Sequence, residues 1–141
     1  MILVKGDLWK YRANVVFITT NGTLKKDGSV VMGKGCAKEA TERYPGIAKV
    51  LGRRVSLHGN VPACLVTTPT KNIWSFPVKH NWWEEADPEL IRKSAREVSS
   101  MEDRDFVLPR PGCGNGKLKW KDVKPILEKY LDDRFHVITY D

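Results

Sequence analysis

Apolar residues along the 141-residue chain fall into short runs broken by glycine, proline and charge. Residues 14–20 (Asn-Val-Val-Phe-Ile-Thr-Thr) form a nearly continuous apolar run, as expected of a strand covered on both faces. Residues 1–5, 63–68, 73–77, 105–108 and 135–140 read as further strands, and residues 55–57 as a short one. Between them the spacing turns helical. Val123, Ile126, Leu127 and Leu131 repeat at helical intervals within residues 120–131. Leu90, Ile91 and Ala95 share a face behind Asp87, an expected N-cap, and Pro88, an expected first helical residue, so a helix should run to about residue 99. Residues 36–43 read as a helix stopped by Tyr44-Pro45-Gly46, and residues 47–51 add a helical turn. Strands alternating with helices predict a single domain over residues 1–141, a three-layer α/β/α sandwich around a mixed, mostly parallel central sheet.

Two loops interrupt this pattern with glycine. Residues 21–35 hold Gly22, Gly28, Gly33 and Gly35 together with Lys25, Lys26 and Lys34; residues 109–120 hold Gly112, Gly114 and Gly116. Each follows a strand and precedes a helix. In an α/β sheet such loops gather beyond the carboxyl ends of the strands, where ligands bind. Free N–H groups and a helix N-terminus make them natural cradles for phosphate. Neither loop matches the Walker A pattern or the dinucleotide fingerprint, and a tight strand-to-helix turn explains either one taken alone.

Charge strengthens the phosphate reading. Lys and Arg total 24 against 17 Asp and Glu, a net +7, which suits an anionic partner such as a nucleotide, a phosphorylated metabolite or nucleic acid. Cys36, Cys64 and Cys113 are odd in number and far apart, so neither a disulfide framework nor a zinc site is expected, and no cofactor or metal is called for. No apolar run approaches the ~18 residues of a membrane span, and residues 1–5 enter a strand without a secretory leader pattern. A cytoplasmic protein with no membrane partner is expected, and with no heptad or apolar stripe the expected state is a monomer.

Taken together, several pieces resemble a macrodomain, the ADP-ribose-binding module, over essentially the whole chain. They are Gly6-Asp7-Leu8 after the first strand, the loop ending Val31-Met32-Gly33-Lys34-Gly35-Cys36-Ala37, the second glycine loop, and the last strand ending in Tyr140. Met32-Gly33-Lys34-Gly35, Phe76-Pro77-Val78-Lys79 and Gly112-Cys113-Gly114 followed by Leu118 and Trp120 are similar to one branch. That branch contains the terminal ADP-ribose protein glycohydrolase and the antitoxin that strips ADP-ribose from DNA.

The resemblance implies a role for each piece. Asp7 would accept a hydrogen bond from the adenine amino group, a job suited to a side chain that only accepts, and Leu8 would offer its N–H to the ring; taken alone, Asp7 reads as a turn cap. Gly33, Lys34 and Gly35, with Gly112, Cys113, Gly114, Asn115 and Gly116, would clamp the pyrophosphate. Asn21 would sit beside the distal ribose and Tyr140 near the adenine, although Asn21 also reads as a turn residue and Tyr140 as core. Lys79 would be catalytic, its neutral amine attacking C1″ of the distal ribose to form a Schiff base. That requires a pKa lowered by burial or positive neighbours, with Lys34 and His80 the expected neighbours. By itself Lys79 reads as a surface lysine.

Two departures qualify the resemblance. The protein-directed glycohydrolase carries an aspartate where this chain has Gly116, which agrees instead with the DNA-directed antitoxin. Residues 24–29 are inserted in the first loop and are expected to reshape the mouth of the site. Trp74, Trp82 and Trp83 beside Lys79 and His80 suit single-stranded DNA, or equally a hydrophobic lid or core. Lys117, Lys119, Lys121 and Lys124 read as a solvated helix face. The expected activity is hydrolysis of ADP-ribose from a modified macromolecule, a DNA base ahead of protein. A non-catalytic ADP-ribose reader, a hydrolase of ADP-ribose 1″-phosphate or O-acetyl-ADP-ribose, and a basic nucleic-acid protein stay open beside it.

Overall fold

The structure, a computed structural model, describes residues 1–140. The strands are β1 (Ile2–Lys5), β2 (Val15–Thr20), β3 (Cys64–Thr67), β4 (Asn72–Pro77), β5 (Phe106–Pro109) and β6 (Phe135–Thr139). They form one sheet in the order β1-β6-β5-β2-β4-β3, parallel throughout except for antiparallel β3. The helices are α1 (Gly35–Arg43), α2 (Ile47–His58), α3 (Pro88–Val98) and α4 (Trp120–Glu128). This is the expected three-layer sandwich.

Strand β2 lies near the middle of the sheet and explains its own apolar run. Side chains alternate across a strand. Val15 and Phe17 join the core under α3 and α4, where Phe17 stacks with Phe106 and Phe135. Val16 and Ile18 join the core under α1 and α2. Every one of these four side chains is fully buried, so both faces of the strand must be apolar.

Helix α3 starts as its sequence dictates. Asp87 accepts a hydrogen bond from the Glu89 N–H at 2.9 Å, with Pro88 in the first turn. At its other end the Arg134 guanidinium donates to the carbonyls of Ser99, Met101 and Asp103, supplying donors to groups left open where a helix stops.

Two expected boundaries need correction. Residues 55–57 are not a strand; they complete α2, which runs to His58, with the Gly59 N–H closing on the Val55 carbonyl at 2.9 Å. Val55 packs on the core while Leu57 points to solvent, so a Val-Ser-Leu alternation that suits a half-buried strand is one turn of an amphipathic helix. Helix α4 ends at Glu128 rather than residue 131. Leu131 lies past the helix but stays buried in the same core, which is why the apolar period outlasts it.

Residues 24–29 turn back on themselves. Leu24 bridges Val30, and the Lys25 N–H donates to Ser29 O at 2.8 Å. The turn lies on α2 so closely that a Cβ on Gly52 would fall 1.7 Å from the Gly28 carbonyl oxygen. Gly52→Ala must therefore push the turn off the helix. It is expected to lower the unfolding free energy by about 2 kcal/mol, the usual scale for overpacking, as read by urea titration. Unchanged stability would show that the turn does not pack there.

Candidate functional site

The parallel register brings the ends of β2, β4, β5 and β6 to one edge of the sheet, and a cavity of about 840 Å³ opens there. This is within the usual range for a small-ligand site. Every expected site residue except Asp7 lines it: Leu8, Asn21, Gly33, Lys34, Gly35, Lys79, Tyr140 and Gly112 through Gly116. Residues 24–29 do not line it, so the expectation that the insertion reshapes the mouth is not met; the turn leans on α2 instead.

The two glycine loops face the cavity with open donors. The N–H groups of Gly33, Lys34 and Gly35, and of Gly114, Asn115 and Gly116, have no acceptor among the described residues. Helix α1 begins here with Lys34 as an N-cap that makes no side-chain cap bond, and its first turn holds no acidic residue. The second loop is shaped by its own bonds, Leu118 N–H to Gly112 O at 2.9 Å and Lys117 N–H to Gly114 O at 3.1 Å. The loops meet across the cavity: the Asn115 amide nitrogen would lie 3.2 Å from a Cβ on Gly35. Unpaired amides from two sides, with a helix N-terminus among them, fit a multiply charged anion.

Lys79 lies just past the end of β4, half-buried, and its position is fixed through the backbone. Its N–H meets the Thr20 carbonyl at 3.4 Å, and its carbonyl accepts from Asn60 Nδ2 at 2.8 Å. Nζ donates to the Trp82 carbonyl at 3.3 Å. Burial, then the charges of Lys34 and Lys117, hold the ammonium below the ordinary lysine pKa. His80 does not supply that charge as expected. Its Nε2 lies 2.7 Å from Asp87 Oδ2, and the hydrogen bond holds the Asp87 carboxyl below its usual range. Lys117 takes its place. This lysine is expected from the sequence on a helix face, but it stands in the loop with a left-handed φ of 64°. Its position directly after three glycines in a loop is the available signal.

The remaining expected residues divide. Asp7 does not line the cavity: its Oδ1 accepts from the Trp9 N–H at 2.8 Å, as a turn cap does. Its charge reaches the adjoining Tyr140 ring, where burial and then Asp7 push the phenol upward. Asn21 spends its amide on its own loop, donating to Val31 O and accepting from the Thr23 N–H, both at 2.9 Å. Among the tryptophans, Trp74 packs in the core, whereas Trp82 lines the cavity and Trp83 is exposed beside it.

Residues with no distinct sequence signal also line the cavity. Cys36 at the start of α1 contacts Thr19 N and Oγ1 at 3.4 Å, and burial raises its thiol pKa. Thr20 is buried with its hydroxyl unpaired. Arg110 lines the mouth with its guanidinium over the Trp120 ring. No group of three metal-ligating side chains occurs among the described residues.

No family model matches the chain. Over 116 residues, 72% of the chain, it is 27% identical to a DNA ADP-ribosyl glycohydrolase of Thermus aquaticus; this match spans 31% of that protein. Solved structures share the fold throughout. The macrodomain of Mycobacterium tuberculosis DarG superposes with a TM-score of 0.78 at 25% identity, covering 97% of this chain and 95% of that one. The macrodomain of Thermus aquaticus DarG gives 0.76 at 23%, covering 99% and 97%. Thermosipho africanus DarTG in complex with ADP-ribose gives 0.77 at 20%, covering 97% of this chain and 41% of that one.

Gly116 is packed shut. A Cβ there would lie 2.5 Å from the Gly112 carbonyl oxygen and 2.7 Å from the Ala86 Cβ, while the Gly116 carbonyl accepts from the Ala86 N–H at 3.0 Å. An aspartate does not fit without moving the loop. Gly116→Asp is expected to cost about 3 kcal/mol and to lower the thermal midpoint by several degrees. Gly114→Asp, where a Cβ meets nothing within 4 Å, is the control; equal midpoints for the two variants would contradict the packing.

Proposed function

We propose, from the macrodomain fold and the cavity at its sheet edge, that this chain binds ADP-ribose and releases it from an unpaired base of DNA, with Lys79 acting on the distal ribose. The observation that carries this is the order of groups along the sheet edge. Tyr140, with Asp7 and Leu8 nearby, lies beyond β6 or the neighbouring β1; the second glycine loop lies beyond β5, the first beyond β2, and Lys79 beyond β4. Adjacent strands lie ~4.8 Å apart, so β6 to β4 spans about 14 Å. A dinucleotide-like ligand laid across that edge presents adenine, diphosphate and distal ribose in the same order. The DNA preference rests on Gly116 and on the Thermus aquaticus relative, whose name gives DNA as its substrate.

The chemistry needs a neutral amine. Lys79 Nζ attacks C1″; its bond to C1″ forms as the bond from C1″ to the base nitrogen breaks, and the base leaves carrying a proton. With the sugar ring open, the lysine holds C1″ as an imine. Water hydrolyses it, returning the free amine and ADP-ribose. Lys34 and Lys117 favour the neutral amine and attract the diphosphate.

A second reading is a non-catalytic reader. Among the described residues, Glu39 on α1 is the one carboxylate lining the cavity, so a general acid is sparse. In either reading the protein is a cytoplasmic monomer, a setting that suits three unpaired thiols.

Lys79→Ala should retain ADP-ribose binding in calorimetry and release none from ADP-ribosylated oligonucleotide; release at the wild-type rate would remove the lysine from the mechanism. No release by wild type, with binding intact, would favour the reader. Turnover only of O-acetyl-ADP-ribose or the 1″-phosphate would make the substrate a metabolite. The pH profile is a further test. Activity should rise as Lys79 loses its proton, at a pH below the ordinary lysine range. Lys34→Ala and Lys117→Ala each remove a positive neighbour, so each should raise the Lys79 pKa and move that limb to higher pH. A limb unmoved in both variants would show that these charges do not act on Lys79.

A further inference from the structure

Trp82 and Trp83 stand at the mouth of the cavity with 48% and 64% of their surface open. Their rings meet edge to face with centroids 6.0 Å apart. Of the other large exposed apolar side chains, Leu24 and Leu57 stand singly, Ile2 and Leu3 are successive residues of edge strand β1, and Tyr140 lines the cavity. The backbone of Trp82 is anchored on both sides. The Trp82 N–H donates to Thr23 Oγ1 at 3.0 Å, and its carbonyl accepts from Lys79 Nζ at 3.3 Å. Thr23 Oγ1 reaches Asn81 Oδ1 at 3.4 Å, and Asn81 Nδ2 donates to Glu84 Oε1 at 2.9 Å. The root of the first glycine loop is thereby stitched to the tryptophan segment. Trp82 lines the cavity and Trp83 does not, so the pair leads from the ligand site outward.

We infer that Trp82 and Trp83 are a stacking shelf for the bases of single-stranded DNA next to the modified nucleotide, so that the site reads the strand around the ADP-ribose as well as the ADP-ribose itself. This rests on the DNA reading above. Exposed rings that already pack on each other above an anchored backbone offer π-faces on which any unpaired base can stack. A duplex keeps its base faces covered, and a base delivered to a closed pocket must leave its stack. Charge sets the path of the backbone. Glu84 and Glu85 come directly after the tryptophans in the chain and repel phosphate, whereas Lys34 lines the cavity and Lys117 directly follows the glycine loop that borders it. The phosphates therefore run past the lysines while the bases turn toward the rings.

Trp83→Ala is the informative variant, because Trp83 lies outside the ADP-ribose cavity. Its KM for an ADP-ribosylated single-stranded oligodeoxynucleotide should rise about 10-fold, within the range for loss of one stacked base. Its turnover of the same modification on a mononucleoside, and its calorimetric affinity for ADP-ribose, should not change. Equal KM on the oligonucleotide, or equal losses on both substrates, would overturn the shelf. A readout independent of turnover is tryptophan fluorescence with unmodified oligothymidylate. Single strand should quench wild type and quench Trp83→Ala distinctly less; no quenching, or equal quenching by duplex, would also overturn it. If the wild type releases nothing from either substrate, the catalytic reading fails, and the fluorescence result still decides the shelf.

Discussion

Parallel pairing of β2 with β4 on one side and β5 on the other sets where every group of the site can stand. Thr20 pairs with Pro77, and Val15 and Val16 with Phe106 and Val107. Because these strands run the same way, they end at the same edge, and the segments leaving them become neighbours. A two-residue extension of β4 places Lys79 against the Thr20 carbonyl. The strand-to-helix turns after β2 and β5 become two facing loops. A one-residue slip of β4 would turn its side chains to the opposite face, exchanging buried Ile73 and Phe76 for their neighbours. Packing energy on both faces thus fixes the geometry of the site at the sheet edge.

Within that frame the site is built from backbone more than from side chains. Close packing fixes the second loop: Gly112, at φ +75°, leaves no room for a Cβ between Ile91 and Ala86, and the Gly116 carbonyl is tied to Ala86. The amides left without acceptors belong to residues that line the cavity. Positive charge has two consequences there. Lys34 and Lys117 attract an anion, and both make it harder for Lys79 to hold its proton. An anion bound between the loops would offset part of that second effect, so occupancy and lysine reactivity are coupled through the same pair of side chains.

How far the molecule is legible in its sequence depends on the scale of the signal. The run at residues 14–20 and the Asp87-Pro88 start of α3 are readable because both arise from local chemistry: two covered faces, and a capped first turn. The glycine loops are readable as loops, and motif resemblance supplies their roles. The error at residues 55–57 comes from a three-residue apolar alternation that helix and strand share; only the docking of α2 on the sheet decides between them. The assignment of Lys34 and His80 as neighbours of Lys79 is half right. Partners across a cavity depend on loop conformation, and the left-handed turn at Lys117 leaves little trace in the sequence. The insertion at residues 24–29 is visible, yet its direction is not, because that depends on the bare backbone of Gly52 on a different helix.

Amide-resolved NMR titration with ADP-ribose tests whether backbone amides of the two glycine loops take its diphosphate. The N–H signals of Gly33, Gly35, Gly114 and Gly116 should shift together on one binding curve while those of Gly46 and Gly59 stay in place. Saturating ADP-ribose that leaves the four loop signals unmoved would contradict that contact.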